Sequence, residues 1–540
     1  MKRVDLYDTT LRDGCQAEDV NFTLDDKLRI VERLDEFGVR YVEGGWPGSN
    51  PRDEEFFRAV RGLRLRHARV AAFGSTRRPG VRASQDRNLR LCLQAQTPVV
   101  TIVGKTWDLH VRDDLRIPLD ENLDVIRDSM AFLSQRCDEV VFDAEHFFDG
   151  WAANPDYALA CLRAAAEGGA AVLCLCDTRG GSLPGPVGEA VGVVRAHLPG
   201  LRLGIHCHND GELAVANSVA AVEAGCAQVQ GTINGVGERC GNANLISVVG
   251  VLQLKLDYGC VRPTQLRRLS GLSRFVYELA NLEPDKRQPF VGQSAFAHKG
   301  GLHVAAVKKN RETYEHIDPA VVGNVQRVLV SDLSGRSNLL SKAEQFGLDL
   351  GRRPEAVQEL LGRLKDLEAR GYAYEGAEAS FELLMRHAME GGRPRFFRLI
   401  GFRVIDEKRR DDEPSVAEAT IILEGPHGEI EHTAAQGNGP VNALDGALRK
   451  ALIKFYPEVE EVVLHDYKVR VLGGAHGTAA VVRVLVESGD RHRRWGTVGV
   501  SENVIEASWQ ALADAMDYKL YHSKRRRRAA PARRPARRRA

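Results

Sequence analysis

The sequence predicts an α/β fold: a (β/α)8 TIM barrel, then helical linker subdomains, then a C-terminal α+β domain built from a duplication. Three observations carry this reading. Over roughly the first 260 residues, short β-prone runs alternate eight times with helical ones, the rhythm of a parallel barrel. After that the alternation stops, and loop-rich and helical stretches take over. Finally, residues 433–448 recur at an offset of 64 as residues 497–512, with Thr433, Ala443, Ala447 and Leu448 returning as Thr497, Ala507, Ala511 and Leu512.

In order, strands are expected at 4–8, 39–43, 70–73, 98–103, 139–142, 171–176, 201–206 and 227–232. Helices are expected at 24–37, 51–60, 84–95, 119–136, 155–167, 186–197, 212–224 and 245–256, several closed by glycine at 38, 168–169, 200 and 225. An open doubly wound sheet is the rival architecture. It usually carries a Gly-rich turn after its first strand, where this chain has polar Asp8-Thr9-Thr10-Leu11-Arg12-Asp13-Gly14. Residues 264–282 read as helix, 288–338 as polar loop, and 341–346, 354–370 and 377–389 as helices. Gly391-Gly392-Arg393-Pro394 marks a boundary. The expected domains are therefore 1–260 (barrel), 261–390 (linker subdomains), 391–522 (duplicated domain) and 523–540 (disordered basic tail).

Composition is globular, with 43% hydrophobic and 27% charged residues. No apolar run is long enough to span a bilayer, and the first residues lack a signal-peptide core. Ten cysteines without a framework pattern fit free thiols in a reducing cytoplasm, and Cys174 and Cys176 read as strand core. The net charge of +2 hides an asymmetry: residues 524–540 hold one Lys, nine Arg and no acid, which leaves the body at about −8. A body of that sign gives no hint of nucleic-acid binding, and the tail reads as a disordered, solvated extension, with contact to RNA, DNA or an anionic surface as the alternative.

The chemistry centres on His206-Cys207-His208-Asn209-Asp210. On a strand, positions i and i+2 share a face, so His206 and His208 aim at one point while Cys207 faces away. Spacing alone also permits two unrelated histidines, one packed and one solvated. Barrel sites lie at the C-terminal strand ends. That rim gathers Asp13 after strand one, Glu145 after strand five, the two histidines and Asn242 after strand eight. One acid, two imidazoles and an amide oxygen suit Zn, Mn, Mg or Co, with open positions to polarise a carbonyl. Arg12 can stabilise a developing enolate or alkoxide, or simply pair with a barrel carboxylate. Glu145 is a general base if burial raises its pKa, and is otherwise structural. His303 is expected in a loop.

Together, Leu6-Tyr7-Asp8-Thr9-Thr10-Leu11-Arg12-Asp13-Gly14, the His206–Asp210 run and Gly237-Glu238-Arg239-Cys240-Gly241-Asn242 resemble the metal-dependent barrel family of α-isopropylmalate, homocitrate and citramalate synthases. Residues 43–51 and 230–235 most resemble its citramalate branch, and the last domain resembles the family's amino-acid-sensing domain. The resemblance implies an acyltransferase that condenses acetyl-CoA with pyruvate and water to give (R)-citramalate and CoA, in isoleucine biosynthesis. It implies a divalent metal on Asp13, His206, His208 and Asn242, with Arg12 polarising the oxo group and Thr178 holding the oxo-acid carboxylate. Glu145, His303 and Tyr314 match positions implicated in enolate formation and thioester hydrolysis. The family's His303 and Tyr314 segment serves the partner subunit, which implies a homodimer with a swapped linker, and an isoleucine effector is expected. One departure stands out: Asp177-Thr178-Arg179-Gly180-Gly181 carries an arginine where the family usually has asparagine. Isopropylmalate or homocitrate formation is the nearest alternative reaction, and an acyl-CoA lyase or a non-catalytic sensor lies further off.

Overall fold

In the computed structural model, residues 2–329, 336–350, 354–374, 376–390, 396–472 and 480–529 are described. Ser334 and Gly335, the expected boundary at 391–394 and tail residues 530–540 lie outside them. The chain divides into two compact units: residues 1–296 with 315–326, and residues 297–314 with 327–540.

The first unit is a closed barrel of eight parallel strands in sequence order. They are β1 (Asp5–Asp8), β2 (Tyr41–Gly45), β3 (Arg69–Ser75), β4 (Val99–Lys105), β5 (Glu139–Glu145), β6 (Val172–Asp177), β7 (Arg202–Cys207) and β8 (Gln228–Gly231). The ring closes by register between β1 and β8, with Asp5 opposite Gln228 and Asp8 opposite Gly231. The expected helices fall in place, two of them with the expected bounds, Leu24–Phe37 and Pro155–Glu167. The first starts at a reciprocal cap between Thr23 and Asp26 and stops at Gly38, whose φ of 96° suits glycine. Side-chain alternation along each strand sorts two layers. Leu173, Leu175, Ile205 and Cys207 join the apolar layer between strands and helices. Tyr7, Tyr41, Val99, Val141, Val172, Cys174 and Cys176 fill the barrel interior. All ten cysteines are free.

Three segments differ from the sequence expectation. The loop after β5 contains a helix, Phe147–Ala153, entered through His146 in the left-handed region. His303 is not in a loop: it sits on the helix Gly301–Lys309. The flanking Lys299-Gly300-Gly301 suggests a turn, but the run from Leu302 to Lys309 contains no helix breaker. The last helix runs from Val504 through Ala529, past residue 523, the expected start of the tail.

The duplication is visible atom by atom. In the second unit, β9 (Arg398–Glu407), β10 (Val416–Glu424) and β11 (Ile430–Gly437) form one antiparallel sheet, and β12 (Val463–Leu472), β13 (Val481–Gly489) and β14 (Arg494–Ser501) form another. Each ends in a helix, Pro440–Ile453 and Val504–Ala529. The Thr433 hydroxyl donates to the Ala447 carbonyl at 3.0 Å, and the Thr497 hydroxyl to the Ala511 carbonyl at 2.8 Å. The same threonine thus ties strand to helix in both copies. No helix among the described residues is long and apolar enough to cross a membrane.

Candidate active site

The C-terminal ends of β1, β7 and β8 bring the expected ligands together. His206 and His208 have ring centroids 5.3 Å apart. His206 Nε2 lies 3.8 Å from Asp13 Oδ2 and 3.2 Å from the Asn242 amide nitrogen. A bridge joins the backbone of His208 to that of Asn242. Asp13, His206, His208 and Asn242 are all buried. Within this cluster Asp13 Oδ2, His208 Nδ1 and Asn242 Oδ1 are buried with no hydrogen-bond partner. Orphaned buried polar atoms are costly, and a carboxylate, an imidazole and an amide oxygen around His206 are a donor set suited to a divalent cation, although the ligand atoms of Asp13, His206 and His208 do not all lie within 4.8 Å of one another. The placed amide turns its nitrogen toward His206, and a half-turn exchanges nitrogen for oxygen.

The imidazoles are kept neutral, as ligands must be. Burial, then the charges of His208 and Arg12, push His206 well below its ordinary pKa. Burial, then Arg239 and Arg12, bring His208 down to about 4.

The glycine-rich loop after β8 is built around Asn242. A Cβ on Gly237 would stand 1.9 Å from Asn242 Oδ1, and Gly241, at φ 89°, would press one against the Gly235 carbonyl. Arg239 fixes the loop with two bonds to Asp210, at 2.7 and 2.9 Å, and one to the Thr178 carbonyl at 2.8 Å.

Arg12 adjoins Asp13, is held by Glu43 at 2.5 Å and lies 4.0 Å from the centroid of the Phe73 ring. Both readings of Arg12 therefore meet, since a guanidinium braced by buried carboxylates is also a fixed positive charge at the rim. Thr178 Oγ1 accepts from the His146 backbone N–H at 2.8 Å, which leaves its own proton to donate. Glu145 ends β5, is only partly buried, and pairs with Lys105 Nζ at 2.8 Å. Burial, the condition attached to its role as a base, is thus replaced by an ion pair. Arg179 pairs with Asp149 at 3.2 Å beside Trp107. His303 and Tyr314 belong to the second unit, are exposed, and stack on each other at 4.2 Å.

Sequence reading missed the polar layer under the rim. The Tyr7 hydroxyl donates to Glu43 at 2.6 Å and lies 2.6 Å from Thr101 Oγ1. Gln230 bridges His206 Nδ1, at 3.0 Å, and Asp143, at 2.9 Å. Burial, then Glu43, raises Asp143 to about 7. The signal was available: Glu43, Asp143 and Gln230 share the inward parity of Tyr41, Glu145 and Thr232. Asp143, Cys174 and Cys176 also place three ligand atoms within 4.8 Å of one another. Burial keeps both thiols protonated, and Asp143 is already taken by Gln230, so this cluster is interior packing.

Comparison with known proteins gives three family matches along the chain. Residues 3–276 match the HMGL-like family, 290–372 the homocitrate synthase post-HMGL domain-like family and 375–520 the LeuA allosteric (dimerisation) domain. An (R)-citramalate synthase of Geobacter sulfurreducens is 58% identical over 97% of this chain and 98% of its own. One from Sulfolobus acidocaldarius is 44% identical over 97% and 98%. The chain belongs to the (R)-citramalate synthase family. A 2-isopropylmalate synthase of Oceanobacillus iheyensis, at 29% identity over 96% of this chain and 97% of its own, is more distant. Members of the citramalate family are acyl-CoA:2-oxo acid acyltransferases, and this chain is an enzyme of that class.

Proposed function

We propose that the rim of the barrel condenses acetyl-CoA with pyruvate and water to give (R)-citramalate and CoA, on a divalent metal held by Asp13, His206, His208 and Asn242. Full-length identity of 44–58% to five (R)-citramalate synthases supports the reaction. The observation that supports the site is that three buried donor atoms, on Asp13, His208 and Asn242, have no hydrogen-bond partner beside a neutral His206. A bound metal supplies a Lewis acid and a template for the oxo acid.

The chain's own residues do the rest. Arg12, fixed by Glu43, offers a permanent positive charge to the pyruvate oxo oxygen as it gains negative charge. Thr178 donates its hydroxyl proton to the pyruvate carboxylate. Glu145, at the position that the family resemblance implicates in enolate formation, takes a proton from the acetyl methyl group once its pair with Lys105 Nζ, 2.8 Å away, has opened. A bond then forms between that methyl carbon and pyruvate C2, and the oxo oxygen takes up a proton. Water cleaves the thioester, releasing carboxylate and CoA thiol. His303 and Tyr314, stacked in the second unit, serve this stage in the partner's site, in a homodimer with swapped linkers. The LeuA-type domain binds isoleucine as feedback effector and joins the dimer. Ten free thiols fit a cytoplasmic setting, and the product feeds isoleucine synthesis.

The test is a panel of 2-oxo acids with acetyl-CoA, with released CoA read by a thiol reagent. Pyruvate is expected to give the highest kcat/KM, because one added methylene already costs about 1–3 kcal/mol in a fitted pocket. A preference for 2-oxoisovalerate overturns the assignment.

A further inference from the structure

A hydrogen-bonded chain runs from the barrel interior to His206. Its inner end is Asp143 on β5, its middle Gln230 on β8, and its outer end His206 on β7. Gln230 Nε2 donates to Asp143 Oδ1 at 2.9 Å, and Gln230 Oε1 lies 3.0 Å from His206 Nδ1. All three residues are buried, at 3%, 0% and 5% exposure, so no solvent competes for these contacts.

The direction of this chain follows from donor inventory. The Gln230 NH2 donates to Asp143 Oδ1, an oxygen that accepts whether or not the other carboxyl oxygen carries a proton. The amide can then turn only its oxygen toward His206. An oxygen there needs a proton on Nδ1, and a neutral imidazole with Nδ1–H has its lone pair on Nε2. Nε2 is the atom that faces Asp13 and Asn242.

We infer that Asp143 and Gln230 are positioning residues that fix the tautomer and ring angle of His206 so that its Nε2 lone pair points to the rim. The inference rests on the reading of His206 as a metal ligand, proposed above. Asp143 touches no reacting group; it acts through the amide. Gln230 Oε1 is the only acceptor at Nδ1 among the described contacts. Outer partners of this kind change metal affinity by roughly 10–100-fold when removed.

The experiment titrates Mn2+ into the metal-free full-length enzyme and reads free Mn2+ by electron paramagnetic resonance. Gln230→Leu should weaken binding roughly 10–100-fold while circular dichroism and thermal midpoint stay near wild type. Gln230→Glu, whose carboxylate still accepts the Nδ1 proton, should restore affinity to within a few-fold. Asp143→Leu should weaken binding by less than Gln230→Leu, and adding it to Gln230→Leu should cost nothing more, since the chain is already cut. Wild-type affinity in both Gln230→Leu and Asp143→Leu overturns the inference, as does an additive double variant. Where Gln230→Leu fails to fold, Asp143→Leu against Gln230→Glu decides in the same way. His206→Ala separates the two levels: if it too binds Mn2+ like wild type, the metal reading itself falls. If His206→Ala loses the ion while the Gln230 and Asp143 variants keep it, only the positioning role falls.

Discussion

His208 shows how surroundings set the protonation of a single side chain. Burial beside Arg239 and Arg12 brings its pKa from 6.5 to about 4. In the unfolded chain the same imidazole takes a proton near 6.5, so acid favours unfolding between those values. The stability this group contributes is full above about pH 6.5 and is lost as pH falls toward 4, of order 3 kcal/mol at most. Asp8 and Asp143, both raised to about 7 chiefly by burial, act oppositely, because the folded barrel holds their protons where the unfolded chain does not. Urea midpoints of the metal-free barrel should therefore fall less steeply with acid in His208→Gln than in the wild type. An equal slope would show that His208 protonates freely. Asp13 tests the same site from the other side. Asp13→Asn keeps the shape and removes a charge, and should lower both Mn2+ affinity and kcat about a hundredfold or more. Unchanged turnover and metal content would remove Asp13 from the site.

At the scale of elements, the loop after β8 is a shaped support for one amide. An added Cβ at Gly237 meets Asn242 Oδ1 at 1.9 Å and Cγ at 3.0 Å but the Asn242 backbone nitrogen only at 3.4 Å, so the side chain has to move first. Gly237→Ala should weaken Mn2+ binding about tenfold while shifting the thermal midpoint little. A large stability loss with intact binding would place the role of Gly237 in folding. In the duplicated domain, Thr433→Val and Thr497→Val each remove one buried strand-to-helix bond and should cost about 1 kcal/mol apiece in denaturant unfolding. Markedly unequal costs would mean the two copies no longer share an energetic design. These elements also show what was legible beforehand. Barrel strands and helices were readable because alternation and helix-stopping glycines are local signals, as at Gly38. The ligands were readable because barrel topology gives each strand end an address. The layer of Glu43, Asp143 and Gln230 was not read, since a polar residue inside a buried strand has meaning only through a partner on another strand. The His303 helix and the helix after His146 were hidden by flanking glycines and by a non-glycine residue at positive φ.

At the scale of the whole molecule, two units with separate cores predict two unfolding events rather than one. The barrel core and the core shared by both sheets of the duplicated domain have no residue in common. Within the second unit, the linker helices pack on residues of β14: Val498 and Val500 share a cluster with Leu339, Leu360 and Phe381. Cutting the chain near residue 394 would strip that cluster of its sheet, so loss of feedback in a truncated enzyme would not by itself locate the effector. The full-length chain gives the cleaner test by linkage, because a ligand stabilises only the unit whose folded form it binds. Trp46, Trp107 and Trp151 report on the first unit, Trp495 and Trp509 on the second. In a Trp495→Phe/Trp509→Phe variant, Mn2+ at a hundred times its dissociation constant should stabilise the fluorescence transition by about 2.7 kcal/mol. Isoleucine should leave that transition unmoved. In the complementary variant lacking the three barrel tryptophans, isoleucine should shift the transition upward, leucine less, and Mn2+ not at all. An isoleucine shift confined to the barrel would make it a substrate-site competitor and would refute feedback through the duplicated domain.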